Sequence, residues 1–148
     1  MTKNANSQKK ILWVDDDFET VPMYSVAEYD YPEKGFDVVI ALNPDEALSY
    51  GNDVFDCIIL DVAMPTGNSA GVDLHKSDGG RKTGLLFIQT LYEKAPNTPI
   101  IVYSVVQNCQ RLFIDAEVDQ YVKEFVSKSD CTELELIDKI KKVLEKGQ

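Results

Sequence analysis

Positive charge is scarce in this sequence. Its 148 residues include 15 Lys and Arg against 25 Asp and Glu, which gives a formal net charge of −10 at pH 7. Sequence-independent binding to DNA or RNA requires positive charge, and an anionic membrane repels an acidic surface. We therefore expect neither nucleic acid nor a membrane as a partner. Histidine is scarcer still, since His75 is the single one. One histidine leaves little material for a zinc site or a histidine-based triad.

Long apolar runs and paired cysteines are also missing. No apolar stretch approaches the length of a membrane span, and the polar first ten residues lack the apolar centre of a signal peptide. The three cysteines, Cys57, Cys109 and Cys131, are odd in number and form no CxxC motif. We therefore expect a cytoplasmic protein without disulfides.

The length is common for a single domain. A chain of 148 residues can bury about 70% of the surface that it exposes when unfolded, so it needs no covalent staples. We interpret residues 1–9 as a disordered lead-in and residues 10–148 as one domain.

Apolar runs rich in Val and Ile predict the strands. The runs are nearly continuous rather than alternating, which is typical of parallel strands covered on both faces. Stretches of helical character separate them, and this repeated β-α pattern predicts an α/β fold with an open parallel sheet. The five runs are Ile11–Val14, Asp37–Ala41, Cys57–Leu60, Pro99–Tyr103 and Val122–Val126.

Helix signals lie between these runs. Asn43 before Pro44 predicts a helix start, and Thr132 with Glu135 predicts a capping box at the last helix. The connection between the first two strands gives the weakest helix signal, because it contains a proline and three tyrosines. The other helices are expected over roughly 85–95 and 107–117.

One connection is unusually long. Residues 66–83 separate the third strand from its helix, contain four glycines and show little periodicity. Connections in α/β units usually take about two to six residues, so this segment is either functional or disordered.

Polar residues follow the predicted strands at the ends where an open parallel sheet binds ligands. Grouped carboxylates repel one another, and a divalent cation relieves that repulsion; oxygen ligands favour Mg²⁺, with Mn²⁺ as a substitute. A carboxylate can also act as a nucleophile and become an aspartyl phosphate, while a metal, a lysine and a hydroxyl neutralise the phosphoryl oxygens. The residues are Asp15, Asp16 and Asp17 after the first strand, Asp61 after the third, Ser104 after the fourth and Lys128 after the fifth.

The chain resembles the receiver domain of two-component response regulators. The resemblance runs from Lys10 to Leu144 and implies a CheY-like, flavodoxin-like (βα)5 fold. Such a fold is a doubly wound five-stranded parallel sheet of order 2-1-3-4-5, here with a long insertion between the third strand and the third helix. The matching segments are ILWVDDD (11–17), IILDVAMP (58–65), GLLFIQTL (84–91), TPIIVYS (98–104) and EFVSK (124–128).

The resemblance implies a phosphoacceptor and a metal site. Asp61 would accept a phosphoryl group from a sensor histidine kinase or a phosphotransfer protein in a Mg²⁺-dependent step. Asp15, Asp16, Asp61 and the backbone carbonyl of Ala63 would hold the metal.

The resemblance also implies a switch. Lys128 would pair with Asp61 or its phosphate, and Ser104 would respond to the phosphoryl group. Ser104 and Phe125 would then remodel the face made by the fourth helix, the fifth strand and the fifth helix, toward a downstream protein partner. No residues remain for an output domain, so we expect a stand-alone receiver, either a monomer or a phosphorylation-dependent dimer. It would catalyse only its own phosphorylation and dephosphorylation.

Two departures from the family pattern keep alternatives open. Ser129 stands where the family usually has proline, and Val105 stands where a small residue is usual. These residues and the long insertion support a pseudo-receiver that binds partners without phosphorylation, whereas the intact Asp15, Asp16, Asp61 and Lys128 argue against it. A phosphohydrolase of the haloacid dehalogenase type is a third alternative, but such enzymes carry a second Asp where this chain has Ala63.

Overall fold

A computed structural model describes residues 8–16, 21–50, 54–63 and 82–146. All neighbouring strands in these ranges pair in parallel, in the order β2-β1-β3-β4-β5. The predicted α/β fold with a sheet of order 2-1-3-4-5 is therefore confirmed. The strands are β1 (Lys9–Val14), β2 (Phe36–Ala41), β3 (Cys57–Leu60), β4 (Ile100–Ser104) and β5 (Glu124–Ser127).

Strand boundaries differ slightly from the prediction. β1 begins at Lys9, two residues before the predicted start, because Lys9 pairs with Phe36 on the edge strand. β4 and β5 each end one residue later than predicted, because Ser104 pairs with Ser127 at the last rung of their ladder. They also begin later than predicted, at Ile100 and Glu124.

Helices connect the strands. The helix between β4 and β5 is shorter than the predicted 107–117, because Asn108 and Glu117 beside its two ends have left-handed backbone angles, with φ of 56° and 60°. A short 3₁₀ turn, Asp119–Tyr121, leads into β5. The helices are α1 (Val21–Ser25, a π-helical turn Val26–Asp30, and Tyr31–Glu33), α2 (Pro44–Ser49), α3 (Thr83–Lys94), α4 (Cys109–Asp115) and α5 (Leu136–Lys146).

α1 is helical but irregular, as its composition indicates. The Tyr31 N–H donates to the Val26 carbonyl five residues back, which widens the helix by one residue per turn. Pro32 follows and has no N–H to donate. The wider turn accompanies full burial of the large Tyr31 side chain.

The caps predicted from the sequence are present. Asn43 Oδ1 accepts a hydrogen bond from the Glu46 N–H at 3.0 Å, which satisfies a free donor at the start of α2. Before α5, Glu135 Oε1 accepts from the Thr132 N–H at 2.9 Å, and Thr132 Oγ1 accepts from the Glu135 N–H at 3.2 Å. These reciprocal bonds make the capping box.

The core has a layer on each face of the sheet. Trp13 and Tyr103 pack with residues of α1 and α5 on one face. Leu12 and Leu60 pack with residues of α2, α3 and α4 on the other. Because neighbouring strand residues point to opposite faces, Leu12 and Trp13 anchor different layers.

Several predicted features lie outside the described residues. They include Asp17, His75 and residues 66–81 of the long connection; Thr83 opens α3. Within the described ranges, no helix is both long enough and apolar enough to cross a membrane.

Candidate functional site

Asp15 and Asp61 leave neighbouring central strands at the same edge of the sheet. The Asp61 N–H donates to the Val14 carbonyl at 2.9 Å, and the Asp15 N–H donates to the Ala41 carbonyl at 2.9 Å. These bonds continue the strand ladders and hold both residues in the sheet. Asp15 is consequently fully buried and Asp61 is 3% exposed.

Asp16 completes a cluster of carboxylates. One oxygen from each of Asp15, Asp16 and Asp61 lies within 4.8 Å of the other two. Asp16 is half-buried, so the cluster meets the surface at this residue. Carboxylates at this separation repel one another unless a cation lies among them.

Lys128 provides one such cation. Its Nζ lies 2.7 Å from Asp15 Oδ2 and 3.2 Å from Asp61 Oδ2, and its side chain is only 9% exposed. Three carboxylates and one ammonium leave a formal charge of −2, which one divalent cation would neutralise. The structure therefore brings together four of the residues predicted to form a site.

The Asp61 carboxylate is oriented from two sides. Its Oδ1 accepts a hydrogen bond from the Val62 N–H at 2.7 Å, while its Oδ2 faces Lys128. Ala63, whose carbonyl is predicted to join the metal site, is half-buried and lies two residues beyond Asp61.

Ser104 ends the adjacent strand β4 and is 2% exposed. Its Oγ accepts a hydrogen bond from the Val106 N–H at 3.2 Å, and its carbonyl accepts one from the Lys128 N–H at 2.9 Å. The second bond joins the ends of β4 and β5, so Ser104 and Lys128 lie side by side. Val105, between these contacts, is 59% exposed.

Phe125 and Ser104 share a groove. Phe125 is half-buried on β5 and packs edge-on against Phe113 of α4, with ring centroids 5.3 Å apart. The groove has a volume of about 650 Å³ and lies among α4, β5 and the loop after β4; Ile114 and Arg111 also line it. Phe125 therefore lies where a change at Ser104 could reach the surface.

Gly84 has a structural role that the motif alone did not reveal. A Cβ at this position would lie 2.2 Å from the Asp61 carbonyl oxygen and 2.8 Å from Val62 Cα. The Gly84 N–H also donates to the Val62 carbonyl at 2.8 Å. The start of α3 thus rests directly on the backbone beside Asp61. A glycine at the start of a helix that follows a buried strand was the available signal.

Tyr103 is the second residue whose role sequence reasoning missed. The sequence places it at the end of a predicted buried strand, and its side chain is 1% exposed. Its ring also lies beneath Lys128, with Nζ 5.6 Å from the centroid, and its hydroxyl donates to the Cys131 carbonyl at 2.6 Å. No sequence pattern indicated these contacts.

Cys109 lies close enough to the acidic cluster for the charge of Asp61 to affect its thiol. Burial, together with a smaller contribution from the negative charge of Asp61, raises the pKa of its thiol to about 11. This thiol is consequently protonated at neutral pH, and nothing marks it as a nucleophile.

Comparison with known proteins gives structural relatives only. No family model and no curated protein matches the chain. A CheY-like receiver domain protein from Methanospirillum hungatei is 20% identical with a TM-score of 0.69, over 95% of this chain and 97% of that one. TrrA from Thermotoga maritima, solved in complex with Mg²⁺-BeF, is 25% identical with a TM-score of 0.64, over 92% and 99% of the two chains.

A longer protein shares the same likeness. NtrX from Brucella abortus is 21% identical with a TM-score of 0.68, over 95% of this chain but only 28% of that one. The sheet order, the helices on both faces and these structural neighbours all indicate the same fold. The chain therefore has the fold of a CheY-like response regulator receiver domain, as the sequence resemblance indicates.

Proposed function

We propose that this chain is a response-regulator receiver that accepts a phosphoryl group on Asp61. The donor would be a sensor histidine kinase or a phosphotransfer protein. One observation carries the proposal: Asp15, Asp16 and Asp61 converge with Lys128 at the carboxyl ends of the strands in a receiver fold. The proposal also places the protein in the cytoplasm.

The donor set of the acidic cluster fits Mg²⁺, with Mn²⁺ as a substitute. It offers carboxylate oxygens, no nitrogen or sulfur ligand among the described residues, and a formal charge of −2. Asp15, Asp16, Asp61 and the backbone carbonyl of Ala63 would hold the ion. When bound, Mg²⁺ supplies positive charge to the phosphoryl oxygens.

The protein's own residues would carry the transfer. A carboxylate oxygen of Asp61 forms a bond to phosphorus while the bond between phosphorus and the donor's histidine nitrogen breaks, and the electron pair stays on that nitrogen. Lys128, now paired with Asp61, is placed to balance the charge of the phosphoryl oxygens. Ser104 would donate its hydroxyl to the same group.

The output would be a change of protein contacts. Phosphorylation would draw Ser104 toward Asp61, shift Phe125 against Phe113 and alter the groove between α4 and β5. A downstream protein would read that change. Action as a monomer or as a phosphorylation-dependent dimer is part of the proposal.

A pseudo-receiver is the competing proposal. Asp61 is only 3% exposed, and both of its carboxylate oxygens accept hydrogen bonds within the protein. Such a carboxylate would be expected in a protein that is never phosphorylated. The retention of three carboxylates and a lysine in one cluster favours phosphorylation, because a binding module needs no such concentration of buried charge.

Intact-mass measurement with acetyl phosphate and Mg²⁺ separates these functions. We expect one added phosphoryl group, absent from Asp61→Asn and absent when a chelator removes the metal. Asp56→Asn is the matched control, since Asp56 accepts a hydrogen bond from the Lys10 N–H away from the cluster. That control should label like the unaltered protein.

The other outcomes are equally informative. Mg²⁺ binding without an adduct would mean that the site is shielded from the donor. Neither binding nor an adduct would contradict the proposal and favour the pseudo-receiver. Turnover of a generic phosphomonoester would instead indicate a phosphohydrolase.

A further inference from the structure

The segment that carries Lys128 is bonded locally at its two ends. Residues 128–135 connect β5 to α5. The Ser129 N–H donates to Ser127 Oγ and the Asp130 N–H donates to the Ser127 carbonyl, both at 3.1 Å. These bonds hold the first turn to the end of its own strand, and the capping box between Thr132 and Glu135 holds the last turn before α5.

Two buried tyrosines anchor this segment from elsewhere in the fold. The Tyr103 hydroxyl donates to the Cys131 carbonyl at 2.6 Å, and the Tyr31 hydroxyl donates to the Glu133 carbonyl at 2.7 Å. Tyr31 is fully buried and Tyr103 is 1% exposed. Trp13 packs against both rings, with centroid distances of 5.3 Å and 6.1 Å, so the two anchors belong to one aromatic cluster.

Tyr103 also contacts Lys128. Its ring centroid lies 5.6 Å from Lys128 Nζ, and its own chain continues into Ser104, whose carbonyl accepts the Lys128 N–H. Tyr103 thus touches the segment at Lys128 and again at Cys131. Tyr31 holds it five residues beyond Lys128, at Glu133.

The position of a lysine ammonium depends on where its backbone is held. The Lys128 side chain has four rotatable bonds, yet its Nζ must reach Asp15 at 2.7 Å and Asp61 at 3.2 Å together. A small displacement of the backbone would lengthen one of these contacts. A buried hydrogen bond three residues away is therefore well placed to control the ammonium.

We propose that Tyr103 is a positioning residue, whose hydroxyl holds the Cys131 carbonyl so that Lys128 bridges Asp15 and Asp61. Tyr31 stabilises the same segment but does not place the ammonium. The geometric part of this proposal stands without phosphorylation; its effect on phosphoryl transfer rests on the proposed function.

The direct test is trace acetylation of lysines with acetic anhydride, read by peptide mass spectrometry, without metal or phosphoryl donor. Tyr103→Phe should raise the acetylation rate of Lys128 about fivefold, which corresponds to loss of about 1 kcal/mol. Tyr31→Phe is the matched control, because it also removes one buried hydroxyl bonded to a carbonyl of this segment. It should leave the Lys128 rate within about twofold. The exposed Lys141 serves as the internal reference.

A second readout is the rate of phosphorylation by acetyl phosphate at saturating Mg²⁺. Tyr103→Phe should lower the rate constant about fivefold and leave the half-saturating donor concentration unchanged, whereas Tyr31→Phe should change neither. In a Lys128→Met background, Tyr103→Phe should have no further effect, since its influence acts through the ammonium.

These readouts distinguish the two proposals. Absence of phosphorylation in the unaltered protein would overturn the proposed function, while lysine acetylation would still test Tyr103. Equal Lys128 acetylation in Tyr103→Phe and Tyr31→Phe would overturn the positioning role. If Tyr103→Phe does not fold, Tyr103→Met offers a flexible apolar replacement, and an unchanged Lys128 rate in that folded variant would likewise overturn it.

Discussion

Lys128 supplies positive charge to two buried carboxylates. Its ammonium contacts a fully buried carboxylate, Asp15, and a nearly buried one, Asp61. Removal of one partner from a buried ion pair leaves the other charge without water and without compensation. The ammonium also neutralises part of the negative charge that a divalent cation would neutralise at the same carboxylates.

Replacement of Lys128 by methionine should therefore destabilise the protein when no metal is present. We expect Lys128→Met to lower the free energy of unfolding by about 3 kcal/mol in urea titrations with a chelator. Saturating Mg²⁺ should restore part of that loss, because the ion would neutralise the same carboxylates. Lys141→Met, at an exposed lysine on α5, should change stability by less than about 0.5 kcal/mol. Equal effects of the two substitutions would contradict this account of the site.

The start of α3 lies close against the backbone at the end of β3. The first turn of α3 lies against the Asp61 and Val62 backbone, and only a residue without a Cβ fits at Gly84. The obstacle is a backbone carbonyl oxygen one residue beyond β3 rather than the end of a flexible side chain, so it cannot move aside cheaply. Placement of α3 and orientation of Asp61 are thus coupled.

Gly84→Ala should disturb both stability and metal binding. We expect a loss of about 1–3 kcal/mol in urea unfolding and weaker Mg²⁺ binding by calorimetric titration, because the added methyl group displaces the Asp61 backbone. Gly35→Ala is the matched control. At Gly35 a Cβ meets nothing within 4 Å, but φ is +94°, so strain alone should cost about 1 kcal/mol without affecting Mg²⁺. Unchanged Mg²⁺ binding in Gly84→Ala would show that α3 and Asp61 are not coupled.

Across the whole molecule, several acidic groups are buried in their neutral form. Burial raises the pKa of the Cys57 thiol to about 12 from its ordinary 9.0. Burial likewise raises the pKa of the Tyr31 and Tyr103 hydroxyls above their ordinary 10.0. In the unfolded chain these groups lose their protons at the ordinary values. Their contribution to stability is therefore complete below pH 9 and is lost as the pH rises toward the folded-state values.

The free energy of unfolding should fall steadily between pH 9 and pH 11. Each group that is ionised only in the unfolded chain contributes a slope of about −1.4 kcal/mol per pH unit. Cys57→Ala should reduce this slope from pH 9 upward, and Tyr31→Phe from pH 10 upward, in urea titrations across the range. A slope that neither substitution reduces would show that other groups govern alkaline unfolding.

The alternation of apolar runs and helix signals was enough to predict an open parallel sheet with helices, because strand burial and helix capping are local properties of the chain. The strand order came from the family resemblance. The Val- and Ile-rich runs correspond to β1–β5, and the Asn43 and Thr132 caps form where their spacing places them. Carboxylates after β1 and β3 were also predictable as neighbours, since the ends of parallel strands meet at one edge of the sheet.

Other features depend on contacts between residues far apart in sequence. The hydrogen bond from Tyr103 to the Cys131 carbonyl joins residues 28 positions apart in sequence. The bond from Tyr31 to the Glu133 carbonyl joins residues 102 positions apart. The close approach of Gly84 to Asp61 and the convergence of Lys128 on two carboxylates also arise only when separate elements pack. Local patterns by themselves therefore determined the strands, the caps and the edge at which the charged residues gather. The tertiary structure decided how those charges are oriented and held, because orientation depends on packing distances that no sequence spacing encodes.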